Sequence, residues 1–156
     1  MIVKAELETD KFLLLEMIAK RQRNLTAKDL VGDMPFTILA NVDEKRGAIL
    51  GAVLYTNYRD FSIEMTCAGV PGWLTKESLR GFFDFPFNQL GCRRVTGIVH
   101  RKNKHARKIN ERLGFKLEGI CRHGFPDGDA CIYGMIKKDC RWIDDLWRMR
   151  RGKEST

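Results

Sequence analysis

The chain has 156 residues, a formal net charge of +8 and a pI near 9.4. This length fits one domain with a sizeable core, and no apolar run approaches the roughly 20 residues of a membrane-spanning helix. The N-terminal segment lacks the layout of a secretory signal, so we expect a cytoplasmic protein with no membrane partner. The charge predicts an anionic partner, either nucleic acid or a phosphate-rich small molecule, unless it is only a solvated surface.

Two helices are predicted near the N-terminus, after a first strand over residues 1–7. Asp10 is a suitable N-cap for the first helix. The second helix starts at Thr26 and stops at Gly32. The residues that share the apolar face of the first helix are Phe12, Leu13, Met17 and Ile18.

Strands and turns dominate the rest of the chain. A helix begins at Thr75 and is interrupted at Pro86, and a later helix over residues 104–113 ends at Gly114, a left-handed cap. Val95, Ile98 and Val99 are the core residues of the fifth strand. The strands after the second helix cover residues 35–42, 48–55, 62–68, 94–100, 115–121 and 130–136.

This order predicts an α/β (α+β) fold with a mixed, mostly antiparallel sheet of about seven strands and four helices. The connection from strand 62–68 through a helix to strand 94–100 is a crossover, which makes that central pair parallel. Residues 1–141 are expected to form one domain. Residues 142–156 are expected to form a basic C-terminal tail, a short helix that then frays.

The five cysteines are odd in number and include no Cys-x-x-Cys pair. A disulfide framework is therefore not expected, and reduced, mostly buried thiols are the default. Cys121, His123, Cys131 and Cys140 are the nearest approach to a metal-ligand set, but their spacing matches no standard zinc module. We expect no metal site.

Three segments together resemble one family. Residues 103–119 combine an Asn, a short helix, Leu-Gly-Phe and Glu-Gly; residues 85–95 and 128–135 add a helix-to-strand junction and a closing strand. This combination resembles the GNAT superfamily of N-acetyltransferases, closest to the branch that acetylates ribosomal-protein alanines and small amines. The similarity covers roughly the last two-thirds of the chain, and the first third matches only in the order of its elements.

The resemblance implies a coenzyme A slot where the central parallel strands splay apart. A backbone N–H of the fourth strand would polarise the thioester carbonyl, and the pyrophosphate would lie on the helix N-terminus near Thr75. Asn103 would meet the pantetheine arm and Arg107 the phosphates. The implied cofactor-binding residues are Cys67, Ala68, Val70, Gly72, Trp73, Leu74, Thr75, Asn103 and Arg107.

Two departures from the family pattern concern catalysis and phosphate binding. The Gln/Arg-x-x-Gly-x-Gly/Ala loop is replaced by residues 70–76, in which Gly72 is the sole glycine. The family's Tyr in the fourth helix corresponds to Asn110, and Ser in other members corresponds to Ala106. Whatever protonates the leaving thiolate is therefore neither of those groups.

Glu64 and Tyr133 are the catalytic candidates. Glu64 lies on the fourth strand near the point of amine attack and is a candidate base, unless it is a plain outward-facing strand residue. Tyr133 is a candidate acid through its phenol, unless it is a core aromatic. Cys67 is kept as a packing residue, because direct attack in a ternary complex is the family's usual route.

The expected reaction is acetyl transfer from acetyl-CoA to a primary amine, on a protein N-terminus, a lysine or a small amine. The altered loop and the missing Tyr favour an alternative, a GNAT-like coenzyme A-binding module without catalysis. A basic nucleic-acid-binding domain is a third hypothesis, although no helix-turn-helix, zinc-finger or aromatic RNP pattern is present. A homodimer through an edge strand is also open.

Overall fold

The computed structural model describes residues 1–22 and 25–143, which form a seven-stranded sheet with helices on both faces. The strand order is β1-β2-β3-β4-β5-β7-β6. The strands are β1 (Ile2–Lys4), β2 (Thr37–Asp43), β3 (Ala48–Thr56), β4 (Ser62–Gly69), β5 (Arg94–His100), β6 (Lys116–Phe125) and β7 (Gly128–Ile136). The helices are α1 (Glu8–Lys20), α2 (Ala27–Val31), α3 (Lys76–Asp84) and α4 (Lys104–Leu113).

One pair of neighbouring strands, β4 and β5, is parallel, and the other pairs are antiparallel. The parallel register runs from Ser62 opposite Arg94 to Met65 opposite Gly97 and then stops. Beyond that point β4 stays paired with β3 as far as Gly69, and β5 stays paired with β7 as far as His100. The two central strands therefore diverge, and we call the space beyond Met65 and Gly97 the β4–β5 gap. The predicted fold class and its splayed parallel pair are confirmed.

Each face of the sheet has its own core. The α3–α4 face packs a large aromatic cluster against Val53, Ile63 and Val95, with Phe82 and Phe83 of α3 each 1% exposed. The α1–α2 face is smaller and aliphatic. Its buried residues include Leu15, Ile18, Ile38, Ala52, Leu54 and Ala68.

Capping residues fix the ends of α2, α3 and α4 as predicted. Thr26 and Thr75 each form a reciprocal capping box with the residue three positions later. Gly114 ends α4 in the left-handed region, with φ +108°. After Asp84 the chain makes one π turn over Phe85–Gln89, so the expected interruption at Pro86 is confirmed.

The predicted start and face of α1 are wrong. The N-cap is Leu7, without a side-chain hydrogen bond, and Asp10 lies in the first turn. Leu14, Leu15, Ile18 and Ala19 are buried, whereas Phe12 is 56% and Leu13 70% exposed. Because residues 12–15 are all apolar, the sequence is compatible with two different buried faces of this helix. Packing onto β2 and β3 buries the face that carries Leu14 and Leu15.

Smaller corrections concern strand ends. β1 stops at Lys4, and β6 and β7 extend to meet at a turn over residues 126–127. Ile98 is 38% exposed because it lies on the opposite face from Val95 and Val99. Arg141–Ile143 forms a 3₁₀ turn, and the rest of the predicted tail lies outside the described residues. None of the described helices is long and apolar enough to cross a membrane.

Candidate active site

A cavity lies at the β4–β5 gap, and its lining includes residues from both faces of the sheet. Its volume is about 80 Å³. Met65, Cys67, Gly97 and Val99 line it from the α3–α4 face, and residues of the α1–α2 face also reach it. Those of the second group are Gln22, Thr66 and Ile98. The cavity wall is therefore built from both faces of the sheet.

Alternate residues of β4 point their backbone N–H and C=O groups toward the gap. Val70 donates its N–H to Leu50 of the β3 segment, and the carbonyl of Phe61 accepts from Arg93 on the β5 side. Because the backbone N–H and C=O groups of successive strand residues point to alternate sides, those of Cys67 and Gly69 point the same way as those of Phe61, toward the gap. Their N–H groups lie beyond the last residue pair that β4 forms with β5.

The end of α1 contacts the same stretch of β4. The Gln22 Nε2 atom lies 3.4 Å from the Cys67 carbonyl oxygen, and the Arg21 Nη1 atom lies 3.4 Å from the Gly69 carbonyl oxygen. Both contacts involve backbone carbonyl oxygens of β4, so the N–H groups of Cys67 and Gly69 still face the gap. They attach the α1–α2 face to the wall of the cavity.

The loop from Val70 to Thr75 contributes Trp73 and Leu74 to the cavity lining. Trp73 is 7% exposed, and its indole packs against Gly51 and Gly69, where a β-carbon at either position would overlap the ring. Its carbonyl accepts hydrogen bonds from Asn41 at 2.9 Å and from the Ser78 hydroxyl at 3.1 Å. Gly72 turns the chain with φ +84°. The loop is thus anchored through Trp73.

The N-terminus of α3 follows this loop. The N–H of Thr75 donates to Ser78 Oγ at 2.8 Å, and the N–H of Ser78 donates to Thr75 Oγ1 at 3.1 Å. This capping box leaves the amides of Lys76 and Glu77 as the other donors of the first turn. A phosphate here would meet those two amides and the helix dipole.

Asn103 lines the cavity at the N-terminus of α4. Its Oδ1 accepts the Ala106 N–H at 3.1 Å, and its own N–H donates to the His100 carbonyl at 2.9 Å. Because Oδ1 is used as the cap, the side chain can offer a ligand its Nδ2 donor. One turn later Asn110 Nδ2 donates back to the Ala106 carbonyl at 2.9 Å.

Cys67 is open to the cavity but surrounded by protein on its other sides. This desolvation raises the pKa of its thiol to about 11. Near neutral pH the sulfur is therefore a thiol, which is a poor nucleophile. This argues against Cys67 as a nucleophile, and its role as a packing residue stays a prediction.

Glu64 lies one residue before the last parallel pair, opposite Thr96. It is half-buried and outside the cavity lining, and its Oε1 accepts a hydrogen bond from Asn57 Nδ2 at 3.2 Å. Asn57 has a positive φ of 53° and ends the β3 segment beside it. This contact orients the carboxylate at the edge of the gap.

Tyr133 is fully buried on β7, outside the cavity lining. Its hydroxyl donates to Glu111 Oε1 and accepts from Arg107 Nε, both at 3.1 Å. Burial, and to a lesser extent Glu111, raise the pKa of this phenol, opposed by Arg107. Arg107 also donates to the Arg101 carbonyl at 3.2 Å, so it is committed to the β5–α4 turn.

His100 is a cavity residue that the sequence did not single out. It is 2% exposed at the end of β5, and its Nδ1 accepts the Lys102 N–H at 3.1 Å. The proton of the neutral ring is therefore on Nε2, which donates to Asp127 Oδ1 at 3.0 Å. The ring links the β5–α4 turn, which carries Asn103, to the β6–β7 turn.

Four of the predicted site residues line the cavity together, and seven do not. The four are Cys67, Trp73, Leu74 and Asn103. The other seven are Glu64, Ala68, Val70, Gly72, Thr75, Arg107 and Tyr133, which lie on the neighbouring loop, strands or helix. Gln22, Thr66, His100 and Phe125 also line the cavity but were not predicted. Gln22 and Phe125 come from elements whose distance to the gap only the folded chain defines, whereas Thr66 and His100 lie on the two central strands themselves.

Solved structures with the same architecture are acetyltransferases. The chain matches ribosomal-protein-S5-alanine acetyltransferase from Vibrio fischeri with 18% identity and a TM-score of 0.58, over 68% of this chain and 64% of that one. It matches a GNAT-family acetyltransferase from Bacillus anthracis with 14% identity and a TM-score of 0.55, over 65% and 66%. These matches span less than two-thirds of each neighbour's length.

A fuller match is a mutant form of spermidine N-acetyltransferase SpeG from Vibrio cholerae. It has 15% identity and a TM-score of 0.68, over 92% of this chain and 99% of that one. No protein-family model matches the sequence, and no curated protein is significantly similar to it. At these identities the likeness shows the fold. With its strand order, splayed central pair and these neighbours, the chain has the fold of the GNAT acetyltransferases.

Proposed function

We propose that this protein transfers an acetyl group from acetyl-CoA to a primary amine by direct attack in a ternary complex. The observation that carries the proposal is the β4–β5 gap, a cavity whose lining includes residues from both faces of the sheet. A donor entering from the α3–α4 face and an amine entering from the α1–α2 face would meet at its centre. The acetyltransferases that share the fold support this assignment.

The donor's thioester carbonyl would lie against the N–H of Cys67. That N–H faces the gap beyond the last parallel pair, so it can stabilise the charge that develops on oxygen during attack. The pantetheine amides would pair with the backbone near Ala68 and Gly69 and with Asn103 Nδ2. The apolar walls formed by Trp73 and Leu74 would exclude water from the arm.

The pyrophosphate would lie between the turn at Val70 and Gly72 and the first turn of α3 after Thr75. Free amides and the helix dipole attract an anion there. Arg107 would add its guanidinium only by exchanging its present partners, Tyr133 and the Arg101 carbonyl. We therefore expect the loop and helix, rather than Arg107, to contribute most to phosphate affinity.

Glu64 would act as the base that takes a proton from the substrate ammonium, directly or through water, and so frees the nitrogen lone pair for attack. Its carboxylate is oriented by Asn57 at the edge of the gap. Tyr133 as the acid stays a prediction, and that role would require its hydroxyl to leave Glu111. A thioester exchange onto Cys67 is disfavoured, because its pKa of about 11 keeps the sulfur protonated.

The acceptor would be a protein N-terminus, a lysine or a small amine. The α1–α2 face near the gap offers Glu64 for the ammonium, and the β3–β4 turn that precedes it carries the exposed rings of Tyr58 and Phe61. The named neighbours act on a ribosomal-protein alanine and on spermidine. Those two acceptor classes are the first to test.

The experiment combines calorimetric titration with acetyl-CoA and mass-spectrometric detection of acetylated products from a panel of terminal peptides, lysine peptides and polyamines. We expect binding and release of coenzyme A thiol with at least one amine. No binding at millimolar ligand would contradict the proposal. Binding without turnover across the panel would instead support the alternative, a coenzyme A-binding module without catalysis.

Glu64→Gln tests the base. Loss of general-base catalysis lowers kcat by about 100-fold, while the dissociation constant of acetyl-CoA stays near that of the parent protein. Glu16→Gln is the matched control, since Glu16 is exposed on α1 away from the gap. Equal kcat values for the two variants would remove Glu64 from the mechanism.

We also propose that the protein works in the cytoplasm and that it can pair through β6. All five cysteines are unpaired, and Cys67 and Cys121 are exposed, as suits a reducing compartment. β6 is an edge strand in which nine of ten residues are exposed, so its backbone can accept a second strand. Light scattering of the purified chain distinguishes a monomer from a dimer.

A further inference from the structure

The outward side of α4 is a row of cationic side chains. Lys104, Lys108 and Arg112 follow one another at intervals of four residues, so they lie on one side of the helix about 6 Å apart along its axis. All three are exposed. His105 is exposed beside this row, and Lys102 is exposed in the turn that precedes the helix. We call these five residues the α4 basic face.

The α4 basic face lies on the side of the helix away from the cavity. The α4 residues among the described cavity lining are Ala106, Ile109, Asn110 and Leu113. Because a helical turn takes 3.6 residues, positions 106, 109, 110 and 113 point roughly opposite to positions 104, 108 and 112. The face is therefore a surface separate from the candidate active site.

Within the described residues, no ion pair neutralises this face. Arg107, the remaining cation of α4, bonds instead to the Tyr133 hydroxyl and the Arg101 carbonyl. Glu111 is the single acidic residue of α4, and its Oε1 accepts a hydrogen bond from the same hydroxyl. The ion pairs found in residues 1–22 and 25–143 include no residue of the α4 basic face. Its charge is thus left for solvent or for a partner.

The charges of the face work against the helix that carries them. Lys104 and Lys108, and likewise Lys108 and Arg112, are like-charged pairs at i, i+4 spacing, which destabilise a helix. Lys104 also lies in the first turn, where the helix dipole disfavours a cation and where α4 has no acidic residue. α4 has no buried residue to offset this repulsion. An anion bound along the face would relieve both effects.

The composition of the face fits a nucleic acid better than a protein. Protein–protein interfaces have an apolar core rich in aromatic residues, but residues 101–113, all of them described, expose no large apolar side chain. Interfaces with nucleic acid are more polar and much more positively charged. Single strands are held by stacking of bases on aromatic rings, and α4 carries no Phe, Tyr or Trp.

A duplex bound through its backbone is the remaining partner of this chemistry. Double-stranded RNA is contacted mostly at phosphates and 2′-hydroxyls, because side chains cannot read its deep, narrow major groove. We propose that the α4 basic face binds the phosphate backbone of double-stranded RNA without reading its sequence. This goes beyond the proposed acyl transfer and does not depend on it.

The test measures binding of a labelled RNA duplex of mixed sequence by fluorescence anisotropy over a series of salt concentrations. Four phosphate contacts, one for each Lys or Arg of the face, predict a slope of about −3 to −4 for the logarithm of the association constant against that of salt. A second RNA duplex of different sequence binds equally. No binding at about 50 mM salt, or a slope near zero, overturns the inference. Tighter binding of a DNA duplex or of poly-glutamate also overturns it, in favour of that partner.

Lys108→Gln removes the central charge of the row. One phosphate contact is lost, so the salt slope becomes shallower by about one and the affinity for the RNA duplex falls. Lys45→Gln is the matched control, because it removes the same charge from the exposed β2–β3 turn and leaves the slope at the parent value. Equal losses in both variants would mean that only net charge matters and would contradict the proposal.

Acetyl-CoA titration of Lys108→Gln separates the face from the donor site. We expect acetyl-CoA affinity to stay at the parent value, since the face points away from the cavity. Weaker acetyl-CoA binding with unchanged RNA binding would assign the face to the donor and overturn the inference. The salt series on the unmodified protein decides the question even if a variant does not fold.

Discussion

The two helices on either side of the gap, α1 and α4, are held in opposite ways. α4 has no buried residue, yet the Asn103 side chain caps its start and Gly114 ends it in a left-handed turn. α1 has no side-chain cap, but it buries Leu14, Leu15, Ile18 and Ala19 against the sheet. α4 is therefore stabilised by the residues at its two ends, and α1 by the apolar face that packs on the sheet.

This difference separates the two sides of the proposed active site. The donor side is positioned by local backbone chemistry, since the residue that caps α4 also lines the cavity. The acceptor side is positioned by long-range packing, and Arg21 and Gln22 reach β4 only because α1 lies correctly on the sheet. We therefore expect cap mutations to affect donor binding and face mutations to affect global stability.

Leu15→Ala tests the face of α1 and has the largest expected effect. Leu15 is 1% exposed, so truncation lowers the free energy of unfolding by about 2–5 kcal/mol. Leu13→Ala is the matched control on the same helix: Leu13 is 70% exposed, and its loss changes stability by less than about 0.5 kcal/mol. Urea titration measures both. The reverse order would mean that α1 packs through its other apolar face.

Gly114→Ala tests the C-terminal end of α4. A β-carbon at φ +108° costs about 1–2 kcal/mol, although it meets only Met135 Cε at an ordinary 3.6 Å. Gly119→Ala serves as the control, because that position is open and has no positive φ. A stability loss of equal size in the two variants would show that α4 does not depend on its left-handed cap.

Asn103→Ala tests the N-terminal end and the cavity together. Loss of the cap lowers the free energy of unfolding by about 1 kcal/mol, and loss of Nδ2 weakens acetyl-CoA binding. Asn103→Asp keeps the cap but replaces the donor with a carboxylate, so it restores stability without restoring affinity. If both variants bind acetyl-CoA like the parent protein, Asn103 has only a capping role.

Gln22→Ala has the smallest expected effect. Its contact with the Cys67 carbonyl is long, at 3.4 Å, so we expect a change in stability of about 0.5 kcal/mol or less. The KM for the amine should rise, since this side chain lines the cavity from the α1–α2 face, while donor affinity is kept. A change in donor affinity larger than the change in amine KM would contradict this division of the site.

The sequence predicts those parts of the fold that carry local signals. The bounds of α4 follow from Asn103 and Gly114, and the parallel pair follows from the crossover through α3. The face of α1 was misassigned because residues 12–15 are all apolar and only the sheet chooses among them. The pattern of apolar residues on one helix or strand cannot show which neighbouring element packs against it.

The candidate site shows the same limit. Asn103 could be named because it begins a segment that resembles a known pattern. Trp73 and Leu74 could be named from their place between the fourth strand and the third helix, although residues 70–76 depart from the family pattern. His100 gave a weaker signal, a single histidine at the end of a strand, and its partner Asp127 lies 27 residues away. Tyr133 and Arg107 were assigned to catalysis and phosphate binding, but no one-dimensional pattern could reveal that they bond to each other.

The lining of the cavity by residues from both faces of the sheet also bears on the kinetics of the proposed reaction. If the donor and the amine bind on opposite faces as proposed, we expect either substrate to bind first and either product to leave first. Initial-rate plots at varied concentrations of both substrates should then intersect rather than run parallel. Coenzyme A should compete with the acyl donor and act as a mixed inhibitor toward the amine.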